Sequence, residues 1–205
     1  MHRALARYAR LQDRLAQEFL PSRAALVLMS RLMGREDDGR ELATGFHQHA
    51  TLQDLVDRFG TERVDQLLTF AVVRHPVERL VSLYAHFRRN KSHPHHAMAM
   101  GMDIEAFMEW ACARGGPRPQ MAWLTRSDRD GIGIDRIVRF ETLEEDVRRV
   151  TVELGISQLT LPPGRRKDDE ERRLCSDHAI ALVREAFAID YETLGYGEDP
   201  HGERR

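Results

Sequence analysis

The residues best suited to chemistry are an arginine and a serine in the segment 70–84, FAVVRHPVERLVSLY. Residues 69–73 are rich in aromatic and β-branched types, which predicts a buried parallel strand, and Pro76 suits the first turn of the next helix. Arg74 would then lie at the carboxyl edge of a sheet, where open α/β folds bind ligands. Ser82 would lie two helical turns along, on a side away from the apolar core face of the helix, which is formed by Val77, Leu80, Val81, Tyr84 and Phe87. The pair predicts an anion site in which a guanidinium and a hydroxyl bind one phosphate group. The alternative is an ordinary strand, turn and helix with a surface arginine and a tolerated helical serine.

The strand and the helix that carry Arg74 and Ser82 belong to a predicted α/β fold. A second strand is predicted over residues 135–140, where charged and apolar groups alternate. Thr142 and Glu145 have the spacing of a capping box at the start of the next helix. Strands that alternate with helices indicate a small parallel sheet flanked by helices, in a helix-rich chain.

Helices are also predicted in other parts of the chain. They cover residues 3–18, 22–33, 103–110 and 176–189, and a further helix begins at Thr51, where Asp54 completes a capping box. Residues 90–102 follow no period and are predicted to form a mobile loop. At this length one domain is expected over residues 1–205, with a helical N-terminal segment at 1–33 and a disordered tail at 197–205.

Composition limits the classes of function. The chain has 41% hydrophobic residues and a formal net charge of -2, so no global basic field attracts nucleic acid or a membrane surface. Any anion site must therefore be local. Cys112 and Cys175 have no neighbours at metal-ligand or redox spacing, which favours a reducing compartment. The charged N-terminus has no uninterrupted apolar segment, so we expect a cytoplasmic protein without a membrane span; its oligomeric state is not predicted.

The segment RHPVERLVSLY at 74–84 resembles the 3′-phosphate-binding motif of the sulfotransferases, RxPxxRxxSxY. In that family the arginine and the serine hold the 3′-phosphate of 3′-phosphoadenylyl sulfate (PAPS), the sulfo donor, and the resemblance assigns this role to Arg74 and Ser82. PQMAWL at 119–124, RFETLEEDV at 139–147 and AIDYETLGY at 188–196 resemble landmarks of the carbohydrate sulfotransferases related to the uronyl 2-O-sulfotransferases and their bacterial relatives. The resemblance covers roughly residues 45–196 and implies a P-loop-like sulfotransferase fold.

The segment GFHQHATLQDL at 45–55 resembles the part of that family that carries the catalytic histidine. By this resemblance His49 is the candidate general base, and His47 would orient it or bind the acceptor. An imidazole titrates near neutral pH and can accept the proton of an attacking hydroxyl. Two alternatives stay open, a solvated loop and half of a metal site without an identifiable third ligand. HPHH at 93–96 presents the same choice between solvated histidines and metal ligands.

The donor side of the predicted site departs from the family pattern. Related enzymes have a loop resembling PKTGGTS, whose nearest counterpart here is residues 20–27, LPSRAALV. Ser22 stands in the place of the lysine of that loop, and Leu26 and Val27 replace its two hydroxyl residues. Arg23 is the candidate for a displaced positive charge, although a guanidinium is not equivalent to an ammonium group.

By the resemblance, the first hypothesis is a PAPS-dependent O-sulfotransferase that acts on a carbohydrate or similar small hydroxylated acceptor and needs no metal. Arg166 is a further candidate for binding the nucleotide. The alternative is a solvated loop whose basic residues are neutralised by the acidic residues that follow them. The second hypothesis is a catalytically inactive relative that binds a nucleotide or a partner. A P-loop kinase is disfavoured because GxxxxGK[ST] does not occur in the chain.

Overall fold

The computed structural model describes residues 25–30, 50–113, 116–155 and 175–197. They fall into two compact units, each assembled from separated parts of the chain. The sheet unit draws on Arg23–His75, Arg118–Ser157 and Phe187–Arg205, and the helical unit draws on Met1–Ser22, Pro76–Pro117 and Gln158–Ala186. The single domain over 1–205 and the disordered tail at 197–205 stay predictions.

The elements are numbered in chain order. The sheet unit contains β1 (Ala25–Ser30), α1 (Leu52–Phe59), α2 (Thr61–Asp65), β2 (Leu67–Val73), α6 (Met121–Leu124), β3 (Arg136–Arg139), a 3-10 turn (Phe140–Thr142), α7 (Leu143–Glu153) and α9 (Ala188–Leu194). The helical unit contains α3 (Pro76–Arg89), α4 (His96–Met100), α5 (Ile104–Cys112) and α8 (Asp177–Ala186). In the parts of the chain that the structure describes, no helix has the length and apolar character needed to cross a membrane.

The sheet has its three strands in the order β1, β2, β3. β2 and β3 are parallel, with Phe70 opposite Arg136 and Val73 opposite Arg139. Both strands lie where the sequence predicts them, and the predicted α/β class with a small parallel pair is confirmed. The carboxyl ends of β2 and β3 therefore meet at one edge of the sheet.

The prediction of a helix over residues 22–33 is wrong where the first strand lies. Residues 25–30 form β1, which pairs antiparallel with β2, so the sheet is mixed. The periodicity of apolar residues does not distinguish a short apolar run in a strand from one in a buried helix. Here the pairing with β2 shows that the run is a strand. Leu26 and Val27 therefore belong to a strand and not to a donor loop. The helix predicted at 3–18 lies outside the described residues.

The core of the sheet unit packs around the start of α1. The predicted capping box is confirmed: Asp54 N–H donates to Thr51 Oγ1 over 3.1 Å, and Thr51 N–H donates to Asp54 Oδ2 over 2.6 Å. Leu52, the first residue of α1, is fully buried. It belongs to one apolar cluster with Leu55, Val64, Ala71, Val73, Met121, Leu124, Ile134 and Leu194. The cap thus fixes the end of α1 that enters the core.

In the helical unit, α3 is buried on nearly every side. The apolar residues predicted for its core face are buried, but Arg79 (0% exposed) and Ser82 (4%) are buried as well. The prediction that Ser82 lies on a side away from the core is therefore wrong. A helix that is enclosed all round must bury polar groups wherever its sequence contains them. Arg79 and Ser82 are three residues apart and share one face of α3.

Two of the histidines at 93–96, His93 and His95, pack on aromatic rings in the helical unit. His93 stacks on Phe87 with 4.2 Å between ring centres, and the ring of His95 lies 5.5 Å from that of Trp110. The predicted mobile loop over 90–102 is wrong at α4, where the chain is helical. Among the described residues, no group of three or more His, Cys, Asp or Glu side chains is arranged to hold a metal ion.

Two other local predictions change in detail. The helix after Asp103 forms as expected, with Asp103 Oδ1 accepting from Ala106 N–H over 2.9 Å. The capping box of Thr142 and Glu145 is wrong, because Thr142 Oγ1 donates to Asp146 Oδ2 instead. The single helix predicted over 176–189 is divided into α8 and α9. At Thr142 a bond to the nearby carboxylate of Asp146 takes the place of the predicted cap.

The capping box of α1 yields a stability prediction. Thr51→Ala removes the side-chain acceptor of Asp54 N–H, so we expect the free energy of unfolding to fall by about 1 kcal/mol. Urea denaturation followed by circular dichroism measures the change. Thr61→Ala removes the same atoms at an exposed position of α2 and serves as the control. Equal unfolding midpoints for the two variants would contradict the role of the cap.

Candidate functional site

Arg74 follows the last residue of β2, at the edge where β2 and β3 both end. The parallel register, continued one residue beyond the sheet, brings Arg74 opposite Phe140. Arg74 Cζ lies 4.5 Å from the centre of the Phe140 ring, within cation–π range. The next pair in the same register is His75 and Glu141, and it is joined by a hydrogen bond in which His75 N–H donates to Glu141 Oε1 over 2.7 Å. The RHP and RFE segments therefore continue side by side after the strands end.

The backbone of Arg74 is held by the side chain of Gln120. Arg74 N–H donates to Gln120 Oε1 over 2.8 Å, and Gln120 Nε2 donates to the carbonyl oxygen of Arg74, also over 2.8 Å. One amide thus satisfies both backbone groups of a residue that has left the ladder. Gln120 is only 1% exposed, so these bonds are shielded from water.

Asp190, at the start of α9, fixes the segment that carries Gln120. Its carboxylate accepts the N–H of Gln120 over 2.7 Å and the N–H of Met121 over 2.9 Å. Gln120 Nε2 also lies 3.4 Å from Asp190 Oδ2. Asp190 is fully buried. A buried carboxylate that accepts several N–H bonds is held firmly, because hydrogen bonds to charged groups are the strong ones.

His75 lies between two tyrosine rings of the sheet unit. Its ring centre is 5.3 Å from that of Tyr191 and 5.4 Å from that of Tyr196, both edge-on, and His75 Nε2 is 3.3 Å from the carbonyl oxygen of Gly197. Arg139 Cζ lies 4.7 Å from the centre of the Tyr196 ring. Burial raises the pKa of the Tyr196 hydroxyl still further above neutral pH. The DYETLGY segment thus packs on the turn that follows β2.

The two predicted phosphate ligands lie in different units. Arg74 is half-buried at the edge of the sheet unit, and Ser82 is buried on α3 of the helical unit. Their joint binding of one phosphate stays a prediction. The other predicted site residues, His47, His49, Ser22, Arg23 and Arg166, lie outside the described residues.

Four residues around Arg74 have roles that the sequence does not reveal. Gln120, Phe140, Glu141 and Asp190 all lie in the segments compared with family landmarks, but their partners are distant in the chain. The Gln120 bonds to Arg74 span 46 positions, and the Asp190 bond to Gln120 spans 70. Only the register of β2 and β3 could have pointed to Phe140 and Glu141, since it pairs the residues that follow the two strands.

An open cleft of about 470 Å³ lies elsewhere in the sheet unit. Its walls include Arg139, Asp146, Arg149 and Thr193, with Ile132 and Ile137 as apolar lining. Arg149 is paired with Glu145 over 2.5 Å and with Asp146 over 3.2 Å. Arg74 is not among the described residues that line this cleft.

Comparison with known proteins agrees with this set of interlocked segments. The model of the sulfotransferase family matches residues 28–197, and the chain belongs to this family. The match begins inside β1 and includes the segments around Arg74, Gln120, Phe140 and Asp190. The search of curated proteins and the search of solved structures each gave no match. The closer resemblance to the carbohydrate sulfotransferases stays a prediction.

The buried carboxylate of Asp190 yields a second stability prediction. Asp190→Ala leaves two buried N–H groups without their acceptor, so we expect a loss of about 3 kcal/mol in the free energy of unfolding. Chemical denaturation checks the value. Asp130→Ala, at an exposed position of the same unit, should change the stability by less than about 0.5 kcal/mol. A small effect at Asp190 would mean that these bonds do not hold the segment.

Proposed function

We propose that this protein transfers a sulfo group from PAPS to a hydroxyl group of a carbohydrate or similar small acceptor. Membership of the sulfotransferase family supports the transfer chemistry in general. The observation that carries the proposal is Arg74: a half-buried guanidinium at the carboxyl end of two parallel strands, with its backbone and its side chain both held by neighbours. A guanidinium in this position is suited to a phosphate group.

In the proposed reaction the acceptor oxygen attacks sulfur while the bond from sulfur to the 5′-phosphate oxygen breaks. The acceptor loses its proton to His49, and adenosine 3′,5′-bisphosphate leaves. Arg74 and Ser82 hold the 3′-phosphate, which keeps the donor in line for attack. His47 orients the base or binds the acceptor. Arg166 is proposed as a further contact to the nucleotide. By analogy with phosphoryl transfer, catalysis of this transfer depends largely on electrostatic stabilisation of the transition state.

The topology of β1 supports a donor-side role for the residues that precede it. Ala25, the first residue of β1, pairs with Val72, two positions before Arg74. The chain therefore enters β1 at the same edge of the sheet where β2 ends. Ser22 and Arg23 come immediately before this point in the sequence. We propose Arg23 as the positive charge that serves in place of the missing lysine, with Ser22 as a hydroxyl donor.

The central assignment predicts a loss of nucleotide affinity in Arg74→Ala. The variant lacks hydrogen bonds to a charged phosphate, so binding of adenosine 3′,5′-bisphosphate should weaken by about 1.5 kcal/mol or more. Isothermal titration calorimetry measures the affinity. Arg148→Ala removes an exposed guanidinium from α7 and should bind as the wild type does. Unchanged affinity in Arg74→Ala would remove the proposed role.

The general base predicts a separation of binding from turnover. His49→Ala should bind adenosine 3′,5′-bisphosphate normally and transfer labelled sulfo groups roughly a hundredfold more slowly, because a proton acceptor is lost. His178→Ala, at an exposed position of α8, is the control. Full turnover by His49→Ala would assign the proton to another group.

A second function is favoured by one feature, the serine in the place of the donor-loop lysine. A relative without that cation would keep the 3′-phosphate site and bind a nucleotide or a partner without catalysis. Ser22 is the residue that motivates this alternative. Sulfo transfer from labelled PAPS to a broad panel of glycans and phenols distinguishes the two functions, since sustained turnover excludes the second.

A further inference from the structure

We propose that Gln120 is a positioning residue for the phosphate-binding guanidinium of Arg74, and that Asp190 sets the orientation of Gln120. The inference rests on the proposed binding of the nucleotide by Arg74, and it adds two residues to that site. Neither residue needs to touch the nucleotide. Their effect on binding would pass through the backbone of Arg74.

The need for a positioning residue follows from the place of Arg74 in the sheet. Within the described residues, pairing with β1 extends to Val72, and pairing with β3 extends to Val73. Arg74 is the first residue after β2, and the strand pairs of the described residues do not include it. Its N–H and carbonyl groups are bonded instead to the two ends of the Gln120 amide. Those two bonds replace a strand at the point where the guanidinium must be fixed.

The direction of the Gln120 amide is set by Asp190. Asp190 Oδ2 accepts the backbone N–H of Gln120, and the end of the amide that faces the same oxygen at 3.4 Å is the donor Nε2. This leaves Oε1 to accept Arg74 N–H, and Nε2 also reaches the carbonyl oxygen of Arg74. Asp190 further holds the backbone N–H of Gln120. A flipped amide would place two donors or two acceptors against each other.

Arg74 is thus restrained at both ends. Gln120 holds its backbone, and the Phe140 ring lies beside its guanidinium. A long side chain that is ordered before its ligand arrives loses less conformational freedom on binding. Without Gln120 the backbone is free to shift, and a displacement on the order of 1 Å is enough to impair a phosphate contact.

The test compares two substitutions of Gln120 at two pH values. Gln120→Met keeps the approximate length and removes both bonds without adding charge. Gln120→Glu keeps the shape, and its carboxyl group can donate to the carbonyl oxygen of Arg74 only when protonated. Burial and the neighbouring Asp190 carboxylate raise the pKa of such a group above about 4.3. Gln66→Met and Gln66→Glu make the same changes at an exposed position.

Affinity for adenosine 3′,5′-bisphosphate is measured by calorimetry on folded protein at about pH 5.5 and about pH 8, with the wild type at each pH as the reference. We expect Gln120→Met to bind about tenfold more weakly at both values. Gln120→Glu should bind about tenfold more weakly at the higher pH and recover most of the affinity at the lower pH. A purely structural role would lower stability without this recovery.

Wild-type affinity in Gln120→Met would overturn the positioning role, and a loss confined to Gln120→Glu would assign the effect to the added charge instead. The proposed function fails in a different way, with no bisphosphate binding by the wild type or with unchanged binding in Arg74→Ala. If Gln120→Met does not fold, Asp190→Asn takes its place. That variant should bind at least about threefold more weakly, and wild-type affinity would again overturn the proposal.

Discussion

The constraint on which this site depends is the pairing of the backbone groups of Arg74. A strand that ends inside a protein leaves N–H and carbonyl groups that water does not reach, and each one left unpaired is costly. The Gln120 amide satisfies both groups of Arg74, and it does so from a position that is almost wholly buried. Within the described part of the chain, the residue that follows β2 is therefore held by a side chain from another segment.

This arrangement explains why the family segments are weak signals separately and form one structure together. PQMAWL supplies the amide that holds Arg74, and AIDYETLGY supplies the carboxylate that holds Gln120. RFETLEEDV supplies the ring beside the guanidinium and the acceptor for His75 N–H. Each segment contains one side of a hydrogen bond or ring contact whose other side is distant in the chain. Loss of the Gln120 amide or of the Asp190 carboxylate therefore removes a hydrogen-bond partner from another segment.

The sequence predicts those parts of the fold that have local causes. β2, β3 and the capping box at Thr51 depend on neighbouring residues, and each forms where the pattern predicts it. β1 fails as a predicted helix because its strand character comes from pairing with β2, which no local pattern contains. The enclosure of Ser82 on α3 has the same kind of cause, because burial depends on what surrounds the helix.

The site is harder to predict than the fold because its contacts join distant positions. Arg74 could be selected as a candidate from its place between a strand and a helix, and its position at the sheet edge agrees with that selection. Gln120 and Asp190 give no such signal, since a buried amide and a buried carboxylate have many structural uses. Their roles become visible only when the segments are folded together.

The residues proposed to bind the two ends of the donor differ in how well the sequence and the structure support them. The two ends also contribute differently to binding and to catalysis. At the 3′-phosphate end, Arg74 is held by bonds within the described sheet unit. At the 5′-phosphate end, Ser22 stands where the family pattern has a lysine. Affinity for the nucleotide depends on ground-state contacts, whereas the rate depends on stabilising the charge that develops on the leaving phosphate. In the proposed function the contacts to the 3′-phosphate act on affinity, whereas a cation at the 5′-phosphate also stabilises the leaving group, so turnover tests the proposed role of Arg23 in place of the lysine.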